Sequence, residues 1–106
     1  MDGDRNQALN YKNKGNEHFK NKEYNKAIEA YTKAIAMNPM DATYYGNRAA
    51  CYFAMRDYER CIKDCDEAIE VDPKFAKAWL RKGRSLYYLG KFEEAKTSLQ
   101  KARELD

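Results

Sequence analysis

Residues 15–39 read GNEHFKNKEYNKAIEAYTKAIAMNP, and this stretch decides the fold twice over. Within it, Tyr24, Ala27, Ile28, Tyr31, Ala34 and Ile35 recur at three- and four-residue steps, the pattern of a helix buried along one side. Beyond it, the same residue types return every 34 positions. Gly15, Ala49 and Gly83 keep that spacing, as do Tyr24, Tyr58 and Phe92, and Ala27, Cys61 and Ala95. Tyr11, Tyr45 and Trp79 keep it too, with Phe19, Phe53 and Tyr87, with Ala34, Ala68 and Ala102, and with Pro39 and Pro73. Seven rows held in phase are the mark of a stacked repeat architecture.

Each unit reads as two helices. In the second, Asp41 is a candidate N-cap for a helix running to about Ala54, and Asp57 caps another running to about Glu70. Val71-Asp72-Pro73 then ends the unit, because proline disfavours helix at the residue before it. Gly15, Ala49 and Gly83 fall on first helices; Ala27, Cys61 and Ala95 fall on second helices. Small side chains there let helix axes approach near the short end of the usual ~8–10 Å range. One pair cannot bury its own apolar face, so the pairs stack. The expectation is an all-α fold of three helix pairs, wound into a right-handed superhelix whose concave face is lined by the first helices.

Composition agrees. A chain of 106 residues makes one domain, and two prolines with five glycines leave little material for the turns of an all-β fold. The net charge of +3 does not call for nucleic acid, whose binders concentrate basic residues in a stripe. No apolar run approaches the ~18 residues that span a membrane. The polar start MDGDRNQALN and an odd count of three cysteines favour a reducing, cytosolic setting with free thiols.

A second stretch, YYGNRAACY at 44–52, sets a puzzle: Gly46 and Asn47 are poor helix formers in the middle of a helix. Their position gives a reason. On the first helices, the side turned from the small packing residues carries Lys12 and Asn16, then Asn47, then Lys77 and Arg81. These groove rows contain no Asp or Glu, so the three cations await an anion from outside. Asn47 supplies an amide that can donate and accept. Gly46 is expected to leave room in the groove, and Ala50 a shallow apolar socket beside Phe19. Arg48 points away, toward a surface or inter-repeat role. Arg84 and Tyr88 extend the groove face.

The pattern G-N-E-x-F…Y-x-x-A-I-x-x-Y-x-x-A-I…N-P of residues 15–39 resembles the tetratricopeptide repeat. The resemblance covers residues 8–106 as units 8–41, 42–75 and 76–106. The groove set is similar to the two-carboxylate clamp of co-chaperone domains of this family, matched by Lys12, Asn16, Asn47, Lys77 and Arg81. That resemblance implies a ligand: the C-terminal tail Glu-Glu-Val-Asp of the seventy- or ninety-kilodalton heat-shock chaperones. The terminal aspartate's two carboxylates would sit in the clamp, with the valine near Asn16, Phe19, Asn47 and Ala50. Two other readings stay open here: a groove for a different acidic peptide, and the non-catalytic targeting domain of a larger phosphatase or prolyl isomerase.

Other features invite chemistry and are expected to be packing. Cys61 and Cys65 lie one turn apart, and Cys51 and His18 could complete a zinc set. Yet Cys61 and Cys65 occupy the rows of Ala27, Ala95, Tyr31 and Leu99, and His18 that of Tyr52 and Leu86. No metal, cofactor or catalytic group is expected, and Trp79 and the tyrosines read as filler between helices. The third unit stops at Asp106, short of the proline that ends the other two, and the family resemblance implies a further capping helix. Lys96 and Arg103 replace the Ile28/Ile62 and Ile35/Ile69 pairs. Leu99 and Leu105 are expected to be exposed on this face, giving a route to weak self-association.

Overall fold

In the computed structural model, which describes residues 2–106, the apolar rows become six helices. These are α1 (Asp2–Lys20), α2 (Tyr24–Met37), α3 (Ala42–Ala54), α4 (Tyr58–Val71), α5 (Ala76–Tyr88) and α6 (Phe92–Leu105). Each helix packs on the next in the chain, and the first helices α1, α3 and α5 also touch in succession. The result is an elongated stack of three helix pairs, 42 × 27 × 19 Å. No strand occurs among the described residues.

The caps lie where short polar side chains suggest. Asp41 accepts from the Thr43 amide at 3.0 Å, and Asp57 from the Arg60 amide at 3.3 Å. The turn inside each pair is built identically three times. Lys22, Arg56 and Gly90, again 34 apart, take positive φ angles of 61°, 62° and 80°. The amides of the following residues, Glu23, Asp57 and Lys91, reach back to the carbonyls of His18, Tyr52 and Leu86 at 2.8, 2.8 and 2.9 Å. This is the Schellman closure, which satisfies carbonyls that the ending helix leaves without partners.

Packing within pairs follows a size rule. A Cβ on Gly15 would lie 2.5 Å from Tyr31 Cε1, and one on Gly83 would lie 2.7 Å from Leu99 Cδ2. In the middle unit the facing residues are Cys61 and Cys65, and there the member of the row is an alanine, Ala49. A large partner demands glycine; a thiol permits a methyl group. Between pairs, Ala8, Ala34 and Tyr44 join α1, α2 and α3, while Ala42, Tyr45, Ala68 and Ala78 join α3, α4 and α5.

Arg48 fills the inter-repeat role expected of it. Its Nε donates to Asp64 Oδ2 at 2.7 Å, its Nη2 to Asp64 Oδ1 at 2.8 Å, and its Nη1 to Thr32 Oγ1 at 3.1 Å. One guanidinium thereby ties α2, α3 and α4. Asp64 is only 4% exposed, so the pair is geometrically fixed, and removing either partner would strand a buried charge.

Two expectations need correcting. Leu99 and Leu105 are half-buried, because Leu99 fills the space above Gly83. The exposed apolar groups of the third unit are instead Leu80, Tyr87, Tyr88, Leu89 and Phe92. His18 is no packing residue either. It sits at the end of α1 beside the turn, half-exposed, and its Nδ1 meets Glu23 Oε1 at 2.9 Å. That hydrogen bond, more than any other influence, holds the Glu23 carboxyl below its ordinary range.

Candidate functional site

The groove residues come from three helices. Lys12 and Asn16 lie on α1, Asn47 and Ala50 on α3, and Lys77, Arg81 and Arg84 on α5. Asn16, Lys77 and Arg84 are exposed; Lys12, Asn47, Ala50 and Arg81 are half-buried. Asn47, Lys77 and Arg81 line one small pocket between α3 and α5, with Gly46, Phe75, Ala78 and Cys65 as its remaining wall. Two cations and an amide from two neighbouring units thus meet around one apolar base. Lys12 and Asn16 do not line this pocket. They stand on α1, the helix that touches α3 from the other side.

The electrostatics suit an anion. Among the described residues, Lys26, Arg48, Arg60 and Lys82 form ion pairs with carboxylates, and Lys12, Lys77 and Arg81 form none. The Arg81 guanidinium lies 5.9 Å from the centroid of the Phe53 ring, a cation–π contact that positions it from α3 without neutralising it. Charges of one sign gathered in a concave, partly apolar pocket attract counter-charged ligands more strongly than the same charges on a flat surface.

Asn16 is anchored from behind. The Tyr31 hydroxyl on α2 donates to Asn16 Oδ1 at 2.5 Å. Burial pushes that hydroxyl's pKa up to about 12, so it remains a donor throughout the physiological range.

The structure alters two details of the groove. Gly46 leaves room for Phe75 rather than for a ligand: a Cβ at position 46 would lie 2.9 Å from Phe75 Cε2. The glycine therefore allows the ring into the floor of the pocket. Phe19 is mostly a core residue, packed against Ala27, Tyr31 and Cys51 and edge-on to Tyr24 at 5.5 Å. Tyr88 stacks on Tyr58 at 5.0 Å and tilts over Phe53, which carries the aromatic surface up to Arg81.

Three groove participants escaped the sequence reading. Phe75 falls in the row of Asp41, so no repeat flags it; its signal is the mismatch itself, an aromatic at a capping position. Cys65 forms pocket wall as well as core. Tyr31 looked like filler, although its row is Tyr31, Cys65 and Leu99 and only the first unit offers a hydroxyl there. The cysteines are all free and buried. Burial pushes the Cys51 thiol up to about 12, and hydrogen bonding to Cys61 together with burial raises that of Cys65, so these two thiols stay protonated. Among the described residues, no group of three His, Cys, Asp or Glu side chains is arranged to hold a metal ion.

With this geometry in hand, likeness to known proteins is informative. The family described as serine/threonine-protein kinase BSK1-like, TPR repeats, matches residues 2–83, and the tetratricopeptide repeat family matches residues 76–106. The STIP1 homolog of Dictyostelium discoideum is 42% identical over 99 residues, which are 93% of this chain and 18% of that protein. Human DnaJ homolog subfamily C member 7 is 37% identical over 100 residues, 94% of this chain and 20% of that protein. The chain therefore spans about a fifth of the length of such relatives. Among solved structures, the second TPR of Spaghetti (RPAP3), bound to the HSP90 peptide SRMEEVD, superposes with a TM-score of 0.94 at 37% identity over the whole of both chains. Three helix pairs, a 34-residue period and matching family patterns along the chain lead to one conclusion: it belongs to the tetratricopeptide repeat family.

Proposed function

We propose that this domain is a non-catalytic co-chaperone adaptor that grips the C-terminal Glu-Glu-Val-Asp tail of seventy- or ninety-kilodalton heat-shock chaperones. Lys12, Asn16, Asn47, Lys77 and Arg81 hold the two carboxylates of the terminal aspartate, Ala50 and the free edge of Phe19 receive the valine, and Arg84 meets acidic residues upstream. The observation that carries this reading is the pocket in which Asn47, Lys77 and Arg81 converge from two units, its cations unpaired among the described residues. The Spaghetti domain, alike over its full length, holds a peptide ending EEVD, and the second TPR domain of human RPAP3, with a TM-score of 0.93, holds an HSP70 peptide with the same ending. Three unpaired buried thiols suit a reducing compartment, and we place the domain in the cytosol.

The groove offers donors to an anion and no acid–base pair for breaking bonds, so its work is recognition. The free groove is held together against the repulsion of Lys12, Lys77 and Arg81. A peptide that binds only the folded state stabilises it by mass action. Tail peptide should raise the melting temperature, and the charge-reversing variant Arg81→Glu should fold but lose that rise. An equal rise for the variant would remove Arg81 from the site.

A further inference from the structure

The Tyr31–Asn16 hydrogen bond has a consequence for ligand selection. A carboxamide presents an oxygen that accepts and a nitrogen that donates, and a freely turning Asn16 could offer either to a ligand. Here the oxygen is occupied. The Tyr31 hydroxyl, at 2.5 Å, donates to it from below the groove. A neutral phenol can also accept, so a turned amide could meet it through its nitrogen; the orientation seen here is the one that leaves the NH₂ free for a carboxylate, which only accepts. The ring cannot move aside, because it is 2% exposed and packs directly over the backbone of Gly15, the residue before Asn16.

We infer that Tyr31 is a positioning residue: its hydroxyl engages the Asn16 oxygen and turns the NH₂ toward the groove, so that Asn16 meets a ligand as a donor. This rests on the reading of the groove as a site for a C-terminal carboxylate, and it sharpens that reading. Asn47 has no hydrogen bond of this kind among the described residues, so the two asparagines are not equivalent. Held this way, Asn16 favours a carboxylate, which only accepts, whereas Asn47 is free to turn.

The variant Tyr31→Phe removes the hydroxyl and keeps the ring over Gly15. A neutral hydrogen bond contributes little on its own, so binding of the free-acid tail peptide should weaken by about three- to tenfold. Binding of the same peptide with an amidated C-terminus should change by less than twofold. The preference for acid over amide therefore shrinks, a readout that simple loosening of the helix pair would not move. In an Asn16→Ala background, Tyr31→Phe should have no further effect, because the two residues act through one group. In the unmutated protein, the Asn16 side-chain amide protons should shift downfield in NMR spectra on addition of the acid peptide and not of the amide. If the unmutated protein fails to distinguish acid from amide, the carboxylate site itself is wrong. If it distinguishes them, but Tyr31→Phe preserves the preference or the Asn16 protons stay unmoved, the role of Tyr31 is overturned.

Discussion

At the scale of single residues, the fold depends on where a methyl group is forbidden. Gly15 touches the Tyr31 ring, and Tyr31 holds Asn16, so a packing residue and a proposed binding residue are neighbours in both chain and space. Gly15→Ala would gain about 1 kcal/mol of helix propensity. It would also overpack a rigid ring, which costs ~1–3 kcal/mol. The expected outcome is a lower melting temperature together with weaker binding of an EEVD-ended peptide, since the displaced ring takes its hydroxyl from Asn16. Calorimetric melting and titration of the same sample would check both; unchanged binding would separate the glycine from the site. The small-residue rows that place Gly15 are plain in the sequence. What they do not reveal is direction. Gly46 reads as space for a ligand until Phe75 is seen to fill it, because no period relates positions 46 and 75.

At the scale of elements, the turn between paired helices repeats more faithfully than its sequence. Lys22, Arg56 and Gly90 share one backbone conformation, and only the third is the residue that adopts it freely. An L-residue with a side chain in the left-handed region costs roughly 1–2 kcal/mol. Exchanging Arg56 for glycine should therefore stabilise the domain by about 0.5–1 kcal/mol, after the larger entropy of the unfolded glycine is deducted. Denaturant unfolding of Arg56→Gly would measure this, and a loss of stability would mean that the Arg56 side chain makes contacts worth more than the strain. Helix limits were legible here to within a residue, because Asp41, Asp57 and Pro73 punctuate the chain. The turn conformation was not, since lysine and arginine carry no local sign of it. The shared Schellman closure appears only when the backbone bonds are traced.

At the scale of the molecule, repetition makes the scaffold and departures from repetition make the site. The small-residue rows kept across three units, such as Ala34, Ala68 and Ala102, are buried core. The rows of the candidate groove change from unit to unit: Asn16, Ala50 and Arg84 share one, and Asn13, Asn47 and Arg81 another. For this reason candidate groove residues could be named from the chain before any coordinates, whereas Tyr31, Phe75 and Cys65 could not. The central claim is that the groove recognises a free chain end. An aspartate carries two carboxylates only when it ends the chain, and losing one member of a charged, partly desolvated set costs ~2–5 kcal/mol. A short peptide bound at micromolar strength has about −8 kcal/mol to lose. The most direct measurement is calorimetric titration, in one buffer, of a peptide ending Glu-Glu-Val-Asp as the free acid, as the C-terminal amide, and with one residue added after the aspartate. The free acid should bind at micromolar strength, more weakly as salt is raised, and the other two at least ~30-fold more weakly; affinities within twofold of one another would contradict recognition of a free chain end.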